Sequence, residues 1–367
     1  MSPPPFRCAL ASAAALLLAG LAGAAAAGGS SDRLRVEYLD SPLTIDVAIP
    51  RFSWAPLHAT RGAALASYRI VVTQTFPAAG TTMWDSGVVA ATSSLNVGYA
   101  GAALPSNADF MWSVVWTDNA GALSAPATST FSTGLLSASD WAGAEWVGST
   151  GGTLNTFRAE MTLASPVTRA RMFITGLGYA KTWLNGELTD DHELGQFMTF
   201  QQRTLYDVVD VTAQLRVGCN ALGVMLGNGW WSEPSIKAGD RQFRLLLSVT
   251  TADDKTATFQ SANAAGAPGA VVFAATAGPV TADNIYDGET FDARIAAALA
   301  GWSSCGFAPV PGVWSATVAP AVTPTSYGAV ISSHGVLIRT DRTYSVVDSG
   351  ITQPKPGVFV FDFGQSK

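Results

Sequence analysis

The chain consists largely of short apolar runs, each ended by turn-forming residues. Residues 68–72 and 110–116 are two such runs, and a turn sequence at 117–121 follows the second directly. Runs of this length separated by regular turns predict β-strands. No long segment repeats apolar residues at the helical period of 3.6, and only residues 295–300 favour a short helix. The pattern therefore predicts an all-β protein.

The strand-like runs form two large groups. Residues 34–134 carry short strands and turns over about 100 residues, which is typical of a fibronectin-III-like sandwich of seven strands. Residues 140–318 repeat this pattern at a larger scale and contain Asn185-Gly186, a strong tight-turn signal. We expect a jelly-roll β-sandwich there, an architecture common in carbohydrate-binding modules.

A third group occupies residues 325–367. Its strand-like runs lie at 336–340, 343–347 and 358–363. These runs are too few for an independent sheet with a covered face. We expect this segment to be the truncated start of a further β domain.

Composition narrows the class of protein. The chain is 48% hydrophobic but only 13% charged, and it contains 36 Gly, 19 Pro and 11 Trp. Low charge with many small and aromatic residues fits an extracellular β-rich protein. The formal charge of −6 and the lack of any Lys/Arg run argue against a nucleic-acid partner.

The first residues indicate export. Arg7, an apolar stretch at 9–21 and four alanines at 24–27 predict a signal peptide over residues 1–27. An uncleaved membrane anchor is the alternative. With cleavage, we expect a secreted protein without a membrane segment.

The cysteines and histidines give no metal motif. Cys8 would leave with the signal peptide, so Cys219 and Cys305 remain, either as one disulfide or as two buried thiols. The three histidines are far apart in sequence, and no HExxH or CxxC spacing occurs.

Nine short segments occur in a fixed order through the chain. They are PRFSW (50–54), MWDSG (83–87), WSVVW (112–116), FSTG (131–134), WLNG (183–186), YDV (206–208), LGNGWW (226–231), YDGETFDAR (286–294) and DFGQ (362–365). Each is weak alone, but in this order they resemble the N-terminal half of secreted bacterial-type α-L-rhamnosidases of glycoside hydrolase family 78. The resemblance covers the chain from Leu34 onward.

The resemblance implies a larger enzyme than this chain. It implies a fibronectin-like domain, a rhamnose-binding jelly roll, a further β domain and an (α/α)6 barrel. The barrel would carry two catalytic glutamates that act by inversion, roughly 6.5–9.5 Å apart. We therefore expect the catalytic pair beyond Lys367 and no catalytic residue in this chain. The segment 194–200 departs from the family pattern because it lacks a proline, and Ser366 replaces the usual Asn.

An acidic loop follows the Asn-Gly turn. Asp190 and Asp191 supply the hard oxygen ligands that Ca²⁺ prefers, and a bound ion can hold sugar hydroxyls. The resemblance implies that an Asp and Asn pair near here binds rhamnose, although His192 stands where the Asn is expected. An ordinary solvated acidic loop is the alternative.

Residues 227–231 form a second candidate site. The two glycines permit tight backbone geometry, Asn228 can donate and accept hydrogen bonds, and an aromatic ring can stack on a sugar. We expect Asn228 and Trp230 to bind sugar and the second tryptophan to lie in the core. A strand end with two core tryptophans is the alternative.

The acidic segment 286–294 suggests a different role. Its carboxylates resemble an acid–base pair, but we expect Arg294 to pair with Asp292 or Glu289 as a structural link. Trp54, Trp84, Trp112 and Trp116 are expected in the core or rim of the first sandwich; we assign them no function.

Two functions fit these observations. The first is the N-terminal part of a secreted α-L-rhamnosidase, which would bind rhamnose-containing glycans and act as a scaffold for the catalytic domain. The second is a stand-alone secreted lectin-like protein that binds rhamnose without a catalytic barrel.

Overall fold

The computed structural model describes residues 28–149, 153–190, 192–195, 197–231, 239–316, 327–333, 338–347 and 350–364. These residues form two compact units that divide between Leu136 and Ser137. The predicted signal peptide at residues 1–27 lies outside the described residues. In the described part of the chain, no helix has both the length and the apolar character needed to span a membrane.

The first unit is a sandwich of two antiparallel sheets. Its strands are β1 (Ser30–Val36), β2 (Leu39–Asp40), β3 (Arg51–Leu57), β4 (Leu65–Phe76), β5 (Thr81–Asp85), β6 (Val89–Ala90), β7 (Val97–Gly98), β8 (Asp109–Asp118) and β9 (Ala127–Ser132). One sheet has the order β2-β1-β3-β7, and the other has the order β5-β4-β8-β9 with β6 also paired to β4. The unit contains nine strands rather than the predicted seven, and three of the nine are only two residues long.

Strand β8 shows why this sequence forms a sandwich. Phe110, Trp112, Val114 and Trp116 are all buried, and they recur at every second residue. Alternate residues of a strand point to the same face, so these four side chains fill the space between the sheets. Trp54 is buried in the same core, as predicted, and Trp84 packs against it.

The second unit is built from two larger sheets. Its strands are β10 (Val147–Gly148), β11 (Thr156–Leu163), β12 (Val167–Leu177), β13 (Tyr179–Leu184), β14 (Glu187–Leu188), β15 (His192–Leu194), β16 (Arg203–Asp210), β17 (Gly218–Gly227), β18 (Gln242–Thr251), β19 (Thr256–Ala262), β20 (Ala270–Val272), β21 (Ala274–Thr276), β22 (Val280–Asn284), β23 (Gly288–Phe291), β24 (Ser315–Ala316), β25 (Ala329–Ser332), β26 (Ile338–Arg339), β27 (Ile351–Lys355) and β28 (Val358–Phe361). Helix α1 spans Ala293–Ala298, and 3-10 turns span Ala138–Trp141 and Thr212–Gln214. The predicted all-β fold is confirmed.

Two of these sheets enclose the main core of the second unit. The larger has the order β20-β19-β18-β12-β16-β25, and the smaller has the order β14-β13-β17-β11-β21-β24. Phe157 on β11 meets Phe243 on β18, with ring centroids 5.3 Å apart. Burial of such apolar surface between the sheets is the main stabilising contribution to the unit.

The segment after residue 325 contains strands β25 to β28. Strand β25 pairs in parallel with β16, with Leu205 opposite Ile331, so it extends the larger sheet of the second unit. The prediction of a strand over residues 343–347 is wrong, because these residues adopt no regular structure. Strands β27 and β28 form a two-stranded ribbon, and their side chains are exposed along both strands.

The two remaining cysteines form a disulfide. Cys219 at the start of β17 and Cys305 have Sγ atoms 2.05 Å apart and Cα atoms 6.1 Å apart. Of the two alternatives left open by the sequence, the structure shows the disulfide.

Candidate functional site

A polar cavity lies where the chain passes from the larger to the smaller sheet of the second unit. Gly178 makes this corner between β12 and β13 with a φ of +116°, and a Cβ there would lie 2.5 Å from the Gly227 oxygen. Glycine is therefore the residue that fits this position. The cavity has a volume of about 50 Å³, which is room for a few water molecules or for a cation with its waters.

The cavity contains one of the two predicted acidic residues. Asp190 lines it and is half-buried. The Asn185-Gly186 turn, with φ values of +54° and +90°, positions the segment that leads to Asp190. A hydrogen bond between the Thr182 and Thr189 hydroxyls also holds that segment against β13. Asp191 lies outside the described residues.

A second carboxylate, Asp207, also lines the cavity. It lies on β16 opposite Ile174 of β12 and next to the fully buried Tyr206. Thr175, another lining residue, donates from its hydroxyl to the Leu205 carbonyl and so ties β12 to β16 there. Asp207 is not among the site residues predicted from the sequence.

Asn228 has a structural role. Its backbone N–H donates to Asp283 Oδ2 at 2.5 Å, and its Nδ2 donates to the Asp283 carbonyl oxygen at 2.8 Å. Asp283 also lies 3.5 Å from Arg241 Nη1. Burial lowers the pKa of the Arg241 guanidinium from its ordinary value, and the charges of Asp283 and Asp240 oppose that shift. Asn228 thus joins the end of β17 to the β22–β23 hairpin.

The two neighbouring tryptophans occupy different environments. Trp231 is fully buried, its ring lies 5.0 Å from that of Phe200, and its Nε1 donates to the Gly239 carbonyl. Trp230 is half-buried, and its ring lies 5.1 Å from that of Phe197. Trp231 is therefore the core residue of the pair, and Trp230 remains as the candidate for ligand contact.

Tyr179 connects the two predicted parts of the site. It lines the same cavity as Asp190. A Cβ on Gly229 would lie 3.1 Å from the Tyr179 nitrogen, and a Cβ on Gly227 would lie 3.8 Å from Tyr179 Cβ. The Gly-Asn-Gly segment thus packs against Tyr179, and Tyr179 also lines the cavity that contains Asp190.

Two protein-family models match this chain. Residues 165–340 match the model of the alpha-L-rhamnosidase N-terminal domain. Residues 31–137 match the model of the Rha78A-like N-terminal immunoglobulin domain. The chain carries N-terminal domains of the α-L-rhamnosidase family.

Individual rhamnosidases agree with this assignment. An alpha-L-rhamnosidase of Formosa agariphila is 26% identical over 91% of this chain and 38% of its own length. One of Streptomyces avermitilis is 31% identical over 62% of this chain and 22% of its own length. The solved α-L-rhamnosidase of Dictyoglumus thermophilum superposes with a TM-score of 0.79 and 26% identity, over 93% of this chain and 39% of its own. This chain therefore spans less than two fifths of each of these three rhamnosidases.

The acidic segment 286–294 of this rhamnosidase domain holds a structural pair, as predicted. Arg294 Nε and Nη2 donate to Asp292 Oδ1 and Oδ2 at 3.0 and 2.6 Å. Asp292 also caps helix α1, because its Oδ1 accepts from the Arg294 backbone N–H. The hydrogen bonds from Arg294 lower the pKa of Asp292. A capped helix start explains these charges without a catalytic role.

One further group of possible metal ligands occurs among the described residues of the rhamnosidase domain. Glu160, Cys219 and Cys305 place their ligand atoms within 4.8 Å of one another. The two sulfur atoms are bonded to each other, so they cannot act as thiolate ligands. The Asp190 and Asp207 cavity is the better candidate for a cation.

Proposed function

We propose that this chain supplies the carbohydrate-binding and scaffold domains of a secreted α-L-rhamnosidase. The complete enzyme would release terminal α-L-rhamnose from glycans or glycosides by inverting hydrolysis. The two domain matches, which together run from residue 31 to residue 340, carry this proposal. The catalytic carboxylates would belong to the part of the related enzymes that this chain does not span.

The binding site that we propose is the cavity of the second unit. Asp190 and Asp191 would bind Ca²⁺, and the ion would hold rhamnose hydroxyls together with Asn228 and Trp230. The chemistry of the cavity fits a hard cation, because Asp190 and Asp207 both line this small space and carboxylates are the ligands that Ca²⁺ prefers. A solved rhamnosidase of Streptomyces avermitilis was obtained in complex with L-rhamnose, and this chain shares its fold with a TM-score of 0.77.

Calorimetry tests the binding function directly. L-Rhamnose is titrated into the protein with calcium and, separately, with a chelator. A monosaccharide offers few atoms, so we expect a Kd on the order of 0.1–1 mM with calcium. Asp190→Asn, Asp191→Ala and Asn228→Ala should each abolish the heat of binding.

Two controls make the result specific. Asp253→Asn removes an exposed carboxylate from a distant turn and should leave rhamnose binding unchanged. The melting temperature without calcium should be the same for wild type, Asp190→Asn and Asp191→Ala. Absence of heat at millimolar rhamnose and calcium overturns the binding function. Heat that persists in chelator and in Asp190→Asn overturns the calcium site alone.

Secretion is part of the same proposal. The Cys219–Cys305 disulfide supports it, because structural disulfides persist in oxidising compartments. Sequencing the N-terminus of the exported protein tests the cleavage after residue 27. An intact N-terminus that still carries Arg7 would favour the uncleaved anchor.

A further inference from the structure

Three aromatic side chains meet at the surface beside the polar cavity. The Trp230 ring lies 5.1 Å from Phe197 at an interplanar angle of 90°, and 6.1 Å from Tyr286 at 82°. Phe197 is 64% exposed and Tyr286 is 73% exposed. We call Phe197, Trp230 and Tyr286 the aromatic cluster.

Each member of the cluster is held by a different part of the fold. Phe197 lies between Gly195 and Met198, and both of these residues line the cavity. Trp230 follows Gly229, which packs against Tyr179. The backbone N–H of Tyr286 donates to Asn284 Oδ1 at 2.7 Å, which fixes the tip of the β22–β23 hairpin.

The Asn228–Asp283 hydrogen bonds join two of these parts. They hold the β22–β23 hairpin, which carries Tyr286, against the end of β17, which leads to Trp230. The position of Tyr286 beside Trp230 is therefore set by buried or half-buried polar contacts and by the turn at Asn284. An exposed aromatic pair on two independent loops would have no such support.

The exposure of these rings points to a ligand. A large aromatic side chain gains free energy when it is buried, and the cores of both units contain such rings. Here two largely exposed rings lie edge-on against a third, next to a cavity with two carboxylates. An apolar surface beside convergent polar groups is the usual composition of a ligand site. A sugar ring has the matching surface, with polar hydroxyls at its edge and an apolar C–H face.

We propose that the aromatic cluster is a stacking subsite for the ring attached to a sugar that is bound at the mouth of the Asp190 cavity. Its ligand is a ring with an apolar face that can stack on an aromatic side chain, either a neighbouring sugar unit or an aromatic aglycone. This inference rests on the proposed function, because it places the second ring beside the rhamnose of that site. The chain would then recognise a rhamnoside rather than free rhamnose.

Calorimetry with four ligands tests the subsite on the full chain with calcium. The ligands are L-rhamnose, methyl α-L-rhamnoside, 4-nitrophenyl α-L-rhamnoside and a rhamnosyl-glucose disaccharide. We expect the methyl glycoside to bind as rhamnose does, and at least one of the two-ring ligands to bind about 3- to 10-fold more tightly. The ligand that gains affinity identifies the attached ring as a sugar or an aryl group.

Alanine variants of the exposed rings locate the effect. Tyr286→Ala and Phe197→Ala should reduce the affinity for the two-ring ligand to that for rhamnose, and should leave the rhamnose affinity unchanged. Phe291→Ala is the matched control, because Phe291 is a 54% exposed aromatic residue on the same hairpin outside the cluster. It should change neither affinity.

The outcomes separate this subsite from the proposed function. If rhamnose binds but no two-ring ligand binds more tightly, the subsite is overturned and the rhamnose site stands. The subsite is also overturned if Tyr286→Ala and Phe291→Ala have equal effects. If rhamnose does not bind but a two-ring ligand does, and Tyr286→Ala abolishes that binding, the subsite stands and the calcium site is overturned.

Discussion

Asp283 accepts a hydrogen bond from the Asn228 backbone N–H at 2.5 Å and lies 3.5 Å from the Arg241 guanidinium. The Asp283 carboxylate thus connects the end of β17, the β22–β23 hairpin and the largely buried side chain of Arg241. Asp283, which lies 55 residues after Asn228, therefore fixes the position of the Gly-Asn-Gly segment.

Asp283→Ala tests this arrangement. The variant removes the acceptor of the Asn228 N–H and leaves Arg241 buried without this carboxylate, so we expect a loss of about 1–3 kcal/mol in the free energy of unfolding. Chemical denaturation measures that loss. Glu289→Ala, on the partner strand of the same hairpin, is the control and should cost far less. Equal effects of the two variants would contradict the assigned role of Asp283.

The disulfide should stabilise the second unit. Cys219 and Cys305 are 86 residues apart, and closing so long a loop restricts the unfolded chain. Replacing both with serine should lower the free energy of unfolding by about 2–4 kcal/mol. Urea unfolding with and without reductant measures this effect. Reductant should destabilise the wild type and leave the double-serine variant unchanged; a wild type indifferent to reductant would contradict the prediction.

The first unit should have a pH-dependent ion pair. Asp85 accepts hydrogen bonds from Arg69 Nε and Nη2 at 2.9 and 2.5 Å, and these bonds lower the pKa of Asp85 to about 2. A lowered pKa in the folded state means that the pair stabilises the protein above pH 4. The contribution is lost as the pH falls from about 4 to about 2. Both side chains are partly exposed, so screening limits the effect to about 0.5 kcal/mol.

A double-mutant cycle measures that ion pair. Asp85→Asn, Arg69→Gln and the double variant are unfolded in urea at pH 6 and at pH 2.5. The coupling between the two positions should be present at pH 6 and should shrink at pH 2.5. A coupling that is the same at both pH values would show that the carboxylate charge does not contribute.

The β27–β28 ribbon should promote self-association. Phe359 and Phe361 are 57% and 54% exposed, and the described residues provide no further strand that pairs with this ribbon. Exposed apolar strands with unpaired edges tend to associate. Phe359→Lys with Phe361→Lys should reduce concentration-dependent association in light scattering. Val88→Lys, at a 77% exposed site in the first unit, should leave association unchanged; an equal reduction there would show that added charge alone is responsible.

Local features of the sequence predicted most of the strands. The period of two in β8 and the Asn185-Gly186 turn depend on neighbouring residues, and the structure has both. The sequence also predicted that one tryptophan of the pair at 230 and 231 lies in the core, and Trp231 is fully buried. These signals suffice for fold class because burial and turn geometry act over a few residues.

Long-range pairing limited what the sequence could show of the site. Asp207 reaches the cavity because β16 pairs with β12, and Tyr286 reaches Trp230 because the hairpin is joined to β17. Neither contact leaves a pattern in the residues next to it. The helix predicted over residues 295–300 is present but lies two residues earlier, at Ala293–Ala298, because Asp292 caps its start.

The parallel pairing of β25 with β16 affects how the protein can be divided into parts for study. A polypeptide that ends at residue 318 would include every strand of the second unit from β10 to β24 but not β25. Its β16 would become a sheet edge with unpaired N–H and C=O groups, close to Asp207 on the same strand. A binding measurement on that shorter piece would report on a distorted cavity, so a cut made to isolate the sugar site has to fall after Ser333, which also lines the cavity.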